Sequence, residues 1–116
     1  MRLLAAALLA TTGISVLADP ASSLTSAQRV ELAVFGMKAM GLPASIGNVA
    51  KIPNSKDTQE MTATGLNLNG YLCATVISIR PLKVKGGYEV TCVANRGGSA
   101  RKSYTVDASS GKANEL

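Results

Sequence analysis

Two short turns in the C-terminal half of the chain limit its fold more than any other feature of the sequence. Segments 72–84, 88–95 and 101–108 are rich in β-branched residues, and the turns between them are residues 85–87 and 96–99. Each turn contains two adjacent glycines, which favours tight connections between antiparallel strands. The sequence therefore predicts a three-stranded antiparallel β-meander.

An apolar face of such a sheet can be recognised because successive side chains of a strand point to opposite faces. Tyr88, Val90 and Cys92 share one face of the second strand, and Tyr104 and Val106 share one face of the third. Opposed apolar side chains stabilise neighbouring strands. We therefore expect Val90 to lie opposite Val106, and Cys92 opposite Tyr104.

The first strand breaks this period of two at Arg80 and Pro81. Its apolar residues fall on odd positions before Pro81 and on even positions after it. Proline also removes a backbone donor from the ladder, which suits an edge strand or a β-bulge. We place this strand at an edge, with a register change at Pro81 and with Leu82 opposite Val90.

The N-terminal segment, residues 1–18, has the pattern of a secretory signal peptide. Arg2 supplies a positive charge, an apolar run rich in Leu and Ala follows, and Ala18 is the small residue that cleavage requires. An uncleaved anchor is the alternative, but the run is shorter than the roughly 20 apolar residues of a transmembrane helix. We expect cleavage between Ala18 and Asp19. The product, residues 19–116, would be a single small α+β domain in the periplasm or outside the cell, with no membrane span.

Cys73 and Cys92 are the only cysteines of the chain. The expected pairing of the first two strands separates them by about 20 Å along the sheet. A disulfide tolerates a Cα separation of no more than about 7 Å. Either the chain before Pro81 folds back across the sheet, or the two thiols are not joined to each other. Because disulfides persist in exported proteins, we favour a bond between these two cysteines.

One amphipathic helix is predicted before the sheet. Thr25 and Gln28 match a capping box, and apolar residues then recur at three- and four-residue spacing until Gly41 and Pro43 end the helix. Residues 42–70 are rich in Gly, Pro and Asn, and we expect them to form a loop-rich segment in which only Thr58 to Ala63 favour a helical turn. The predicted fold class is thus α+β: one amphipathic helix packed on a three-stranded antiparallel β-meander, stapled by one disulfide.

Most enzymatic chemistries are disfavoured by the residues that the chain lacks. It has no histidine, which removes Ser-His-Asp triads, imidazole metal sites and the commonest general base. Asp57 and Glu60 are the only carboxylates close to each other in sequence, and a hydrolase built on them is the remaining enzymatic alternative. The cysteines are too widely spaced for a redox CxxC motif and lack companion ligands for zinc. We expect no enzymatic activity, no cofactor and no metal.

Positive charge is concentrated in the sheet half of the chain. The formal net charge is +5, and residues 80–116 hold seven Lys and Arg against three Asp and Glu. The predicted binding surface is the second turn with its basic flanks: Arg96, Gly97, Gly98, Arg101 and Lys102. There, backbone N–H groups and cationic side chains would face an anion. The alternative is that basic side chains keep an exposed edge strand from pairing with other chains. Nucleic acid is not an expected partner, because no aromatic residues alternate with the basic ones.

The C-terminal half also resembles a known family. A short amphipathic helix is followed by a Gly-Tyr-Glu-Val strand and by the closing pattern Tyr104-x-Val106-Asp107-Ala108-x-x-Gly111-Lys112. This order is similar to the PepSY-type domains of exported bacterial proteins. The resemblance implies a small α+β module that modulates a peptidase or an envelope complex.

Together these features predict a non-catalytic, exported binding or accessory module. Its partner would be a protein of the periplasm or envelope, as the PepSY-like pattern implies. The alternative function is that of a basic envelope component that binds anionic surfaces, either lipid head groups or polysaccharide.

Overall fold

The computed structural model describes residues 19–45, 47, 49 and 51–116, so the predicted signal peptide lies outside the described residues. Two helices precede a four-stranded antiparallel sheet of strand order β1-β2-β3-β4. The elements are α1 (Ser26–Ala39), α2 (Ser55–Leu68), β1 (Thr75–Pro81), β2 (Gly87–Val93), β3 (Arg101–Asp107) and β4 (Lys112–Glu115). The α+β class is confirmed, with one helix and one strand more than predicted. No helix in the described part of the chain is long and apolar enough to cross a bilayer.

Local signals set both ends of α1. The Thr25 hydroxyl accepts a hydrogen bond from the backbone N–H of Gln28 at 3.1 Å, and the Gln28 side chain accepts one from the Thr25 N–H at 2.9 Å. This is the expected capping box. At the other end Gly41 adopts a φ of 81° and its N–H bonds to the Lys38 carbonyl at 2.9 Å. Glycine is favoured there because other residues are strained at positive φ.

The prediction of a loop-rich segment at 42–70 is wrong for its second half, which forms α2. The buried stripe of this helix contains Thr58, Thr62, Gly65 and Leu66, and only the last of these is a large apolar residue. The Thr62 hydroxyl donates to the Thr58 carbonyl at 2.7 Å. Because the hydroxyls are satisfied within the helix, the threonines can bury their methyl groups. Threonine, glycine and asparagine are poor helix formers, so the composition of this segment indicated turns rather than the helix.

Glycines allow α1 and α2 to pack closely. A Cβ atom added to Gly36 would lie 2.8 Å from the Met61 carbonyl oxygen on α2. A Cβ atom added to Gly65 would lie 2.9 Å from Cδ2 of Phe35 on α1. Both distances are too short for real carbon contacts, so each helix needs a glycine where the other approaches.

The sheet keeps the predicted faces but not the predicted register. Val90 lies opposite Tyr104 rather than Val106, and Cys92 lies opposite Lys102. The shift arises because the turn is centred on Gly97, which has a φ of 76°. A shift of two residues preserves which side chains face the core, since the period of a strand is two.

β1 lies at an edge, as predicted, but its irregularity lies elsewhere. The register shift falls between Val76 and Ser78, and Pro81 pairs regularly with Tyr88. The expected pairing of Leu82 with Val90 is therefore wrong, and Ile79 occupies that place. β1 ends at Pro81, and residues 82–86 form the turn.

β4 was missed because it is short and polar. The Asp107 carboxylate organises the preceding turn by accepting hydrogen bonds from the Ser109 N–H at 3.0 Å and the Ser110 hydroxyl at 3.1 Å. An aspartate followed four residues later by glycine was the available signal for this turn. Asn69, which caps α2, covers the outer edge of β4: its side chain donates to the Gly111 carbonyl at 3.1 Å and accepts from the Ala113 N–H at 3.2 Å. The Asn69 amide therefore satisfies backbone groups that a neighbouring strand would otherwise bind.

The hydrophobic core lies between the helices and the inner face of the sheet. Burying these apolar surfaces is the main stabilising contribution. Its larger members are Leu24, Leu32, Phe35, Leu66, Val76, Ile79, Tyr88, Val90, Tyr104 and Val106.

Candidate functional site

The predicted binding residues are brought together at one end of the sheet. Arg96, Gly97, Gly98, Arg101 and Lys102 are all exposed, and together they are called the basic end below. The turn is closed by a hydrogen bond from the Gly98 N–H to the Asn95 carbonyl at 2.9 Å. The structure thus places the whole predicted set at one exposed end of the sheet, with Arg101 and Lys102 on opposite faces because they are successive residues of β3.

The cations of the basic end differ in their surroundings. Lys102 lies 3.1 Å from Glu115, and hydrogen bonding to this carboxylate raises the pKa of the Lys102 ammonium. Arg96 and Arg101 form no ion pair with any residue that the structure describes. The two arginines are therefore the cations available to a partner.

The position of the basic end bears on the edge-protection alternative. The turn joins β2 to β3, and these are the two inner strands of the sheet. Edge strands gain from basic residues and proline because these discourage pairing with other chains. That role fits Arg80 and Pro81 on β1, and Lys112 on β4. It also fits Arg101, because β4 pairs with β3 only from Tyr104 to Asp107, but it does not fit Arg96, which lies in the turn itself.

Two exposed leucines border the basic end. Leu72 is 55% exposed and Leu116 is 69% exposed. The Leu72 carbonyl accepts a hydrogen bond from the Tyr104 hydroxyl at 2.7 Å, and the Leu116 N–H donates to the Ser103 carbonyl at 3.0 Å. The backbones of both leucines thus contact β3, at Tyr104 and at Ser103, so both leucines lie near the end of the sheet that carries the basic end.

A disulfide fixes the strand that leads into the basic end. Cys73 and Cys92 are bonded, with their Cα atoms 5.2 Å apart. The favoured bond is therefore confirmed without a fold back across the sheet, because the chain before β1 still runs beside β2, with the Ala74 N–H bonded to the Val93 carbonyl at 2.8 Å. Asn67 holds the Cys73 backbone by accepting from its N–H at 2.9 Å and donating to its carbonyl at 3.0 Å. The expected separation of about 20 Å was wrong because it rested on the wrong register of β1. Cys92 lies opposite Val76, only three residues from Cys73. Both cysteines are buried.

The carboxylates of the hydrolase alternative lie away from this surface. Asp57 and Glu60 border one groove of about 490 Å³ between α1 and α2, and both are exposed. A carboxylate pair that performs acid and base chemistry needs unlike surroundings for its two members, and this pair lacks that difference. Among the described residues no group of three His, Cys, Asp or Glu is placed to hold a metal ion. The absence of enzymatic activity stays a prediction.

A second cavity, not anticipated from the sequence, lies at the opposite end of the sheet. It is called the α1 cavity below, and its volume is about 320 Å³. It is lined by Glu31, Val34 and Lys38 of α1, by Ser45, by Lys85 and Gly86 of the β1–β2 turn, and by Ala108 and Ser109 of the β3–β4 turn. These residues come from distant parts of the sequence and form no motif, so no local pattern could have revealed the cavity.

Comparison with known proteins does not assign the chain to a family. No family model, curated protein or solved structure matches the chain significantly. The resemblance to PepSY-type domains therefore stays a prediction, carried by the order of the elements and by the patterns at residues 87–90 and 104–112.

The Tyr88 phenol, which is bonded to Glu31 in the wall of the α1 cavity, makes the stability of the fold depend on pH in the alkaline range. Its hydroxyl donates to Glu31, and burial followed by this carboxylate raises the pKa of Tyr88 well above its ordinary value of 10.0. An unfolded chain ionises its tyrosines near pH 10 while the folded chain keeps this phenol neutral, so the folded state is favoured below pH 10 and loses that stabilisation as pH rises further.

We therefore expect the urea midpoint to fall between pH 8 and pH 11, and Tyr88→Phe to reduce that fall. Part of the fall will remain in the variant, because burial also raises the pKa of Tyr104. Urea titrations of both proteins at the two pH values measure this difference. An equal fall for Tyr88→Phe and the unmodified protein would contradict the assignment.

Proposed function

We propose that this protein is a non-catalytic, exported binding module that recognises an acidic surface of a protein partner through the basic end. The observation that carries the proposal is the exposure of Arg96 and Arg101 without an ion pair among the described residues. Arginine is enriched at protein interfaces because its planar guanidinium binds carboxylates in two places and also packs against apolar groups.

The disulfide supports the exported location. Bonds of this kind persist in oxidising compartments and are rare in the cytosol, where thiols are kept reduced. The bond is compatible with an extracellular location, and the predicted signal peptide at residues 1–18 adds the route of export. The periplasm or the medium is the proposed site of action.

The disulfide restrains the strand that leads into the basic end, which favours specific binding there. Cys92 lies four residues before Arg96, and its bond to Cys73 ties β2 to the chain that precedes β1. A surface that is ordered before binding loses less conformational entropy on association. The resemblance to PepSY-type domains adds a peptidase or an envelope complex as the class of partner.

A second candidate function is binding to an anionic envelope surface. Leu72 and Leu116 favour it, because exposed apolar side chains beside cations suit the interface of an anionic lipid layer. In this reading the leucines enter the head-group region while Arg96 and Arg101 contact phosphates.

The test of the first function compares two double variants of equal charge change. Arg96→Ala/Arg101→Ala removes the free cations of the basic end. The control, Lys56→Ala/Lys83→Ala, removes two exposed lysines from other surfaces. We expect the arginine variant to lose about tenfold in partner capture, since interface charges of this kind each contribute roughly 0.5–1 kcal/mol.

The readout is a crosslinking pull-down from the host envelope at low and high salt. Recovery of one stoichiometric protein by the unmodified chain and by the lysine control, but not by the arginine variant, is the expected result. If the arginine variant recovers that protein undiminished, the basic end is not the contact surface. Sedimentation with phosphatidylglycerol vesicles but not with phosphatidylcholine vesicles, lost at high salt, would favour the second function.

A further inference from the structure

The α1 cavity combines an apolar floor with a charged rim. Val34 and Ala108 are both buried and supply the apolar surface. Lys38 and Lys85 bring two ammonium groups from different elements, one from α1 and one from the β1–β2 turn. Small-molecule sites have this composition, a mostly apolar wall with a few polar groups that fix orientation.

The charges of the rim favour an anion. The Lys38 ammonium donates one hydrogen bond to the Ser109 carbonyl, which fixes its position and leaves two further N–H groups for a ligand. Lys85 is exposed in its turn. The single carboxylate of the rim, Glu31, already accepts the Tyr88 hydroxyl. A neighbouring carboxylate, Asp107, interacts with Lys38 and is engaged by hydrogen bonds from Ser109 and Ser110. The rim itself therefore carries two cations against one engaged anion.

We propose that the α1 cavity binds a small amphipathic anion. The apolar part of the ligand lies against Val34 and Ala108, and its carboxylate or sulfonate contacts Lys38 and Lys85. The volume of about 320 Å³ suits a short-chain fatty acid or a compact aromatic acid, because it lies at the lower end of the range for ligand pockets. This site is separate from the basic end, since the turns that line it lie at the other end of the meander.

A pair of fluorescent probes that differ by one sulfonate tests the proposal. 8-Anilinonaphthalene-1-sulfonate carries the anion, and N-phenyl-1-naphthylamine is the same molecule without it. We expect the sulfonate to bind the unmodified protein more tightly than the neutral probe does. Hexanoate should displace it at lower concentration than hexan-1-ol does.

The variants localise the probe to the cavity. Lys85→Ala should weaken sulfonate binding by about fivefold, the effect of losing one exposed ion pair, and should leave the neutral probe unaffected. The matched control is Lys83→Ala, which removes the same charge from the same turn at an exposed residue that does not line the cavity. Val34→Phe places a larger side chain on the apolar floor and should weaken the binding of both probes. A thermal melt of this variant shows whether it folds.

Three results would overturn the inference. The first is equal affinity for the two probes, which would remove the role of the anion. The second is equal loss in Lys83→Ala and Lys85→Ala, which would reduce the effect to net charge. The third is undiminished binding in a folded Val34→Phe variant, which would place the probe elsewhere.

Discussion

Replacing Cys73 and Cys92 together by alanine is expected to lower the melting temperature by about 15 °C. The bond joins residues 19 apart in sequence. A cross-link that closes a loop of this size stabilises a protein by about 3 kcal/mol, mainly because it restricts the unfolded chain. In a domain of this size each 1 kcal/mol corresponds to roughly 5 °C.

Thermal unfolding followed by circular dichroism, with and without reductant, measures the effect. The reduced, refolded protein should have the same melting temperature as the double alanine variant. Reductant should not change the melting temperature of the variant itself. Both cysteines are buried, so reduction of the unmodified protein requires prior unfolding. Equal melting temperatures for the oxidised protein and the variant would contradict a stabilising bond.

Gly65→Ala is expected to destabilise the protein by about 2 kcal/mol, although helix propensity alone predicts the opposite sign. Alanine is favoured over glycine within a helix by about 1 kcal/mol. Here, however, the new methyl group would meet the ring of Phe35, which is fully buried and has no room to move. Overpacking of a core commonly costs about 1–3 kcal/mol or more.

Urea unfolding of four variants separates packing from propensity: Gly65→Ala, Phe35→Leu, the two combined, and a control. Gly47→Ala is the control, because a Cβ atom there would meet no atom of the described residues within 4 Å. Its stability should remain near that of the unmodified protein. Adding Phe35→Leu to Gly65→Ala should cost less than the sum of the two single changes, since the smaller side chain makes room for the methyl group. A stabilised Gly65→Ala variant would show that the helices are not packed as described.

Features encoded by adjacent residues were predictable from the sequence. The capping box of α1 depends on Thr25 and Gln28, and the β2–β3 turn depends on Gly97 and Gly98. These signals act over a few residues and need no knowledge of the rest of the fold. The basic end was predictable for the same reason, because its residues lie within one turn.

Features that depend on packing were not predictable in the same way. The buried stripe of α2 consists of Thr58, Thr62, Gly65 and Leu66, and threonine and glycine have low helix propensity, so the composition of the segment indicated turns. The path of the chain near Cys73 depends on Asn67 and on a bulge near Ile77, and neither stands out in the sequence. The α1 cavity requires the turn at Lys85 to meet the helix at Lys38, which only the tertiary structure establishes.

Site-specific photocrosslinking in the host envelope tests most directly whether the basic end is the contact surface. A benzoylphenylalanine placed at Ser99, an exposed residue of the β2–β3 turn, is compared with one placed at Lys83 in the turn at the other end of the sheet. We predict one protein adduct from Ser99, its loss when Arg96 and Arg101 are replaced by alanine, and no such adduct from Lys83. The same adduct from both positions, or one from Ser99 that persists without the arginines, would contradict the proposed function.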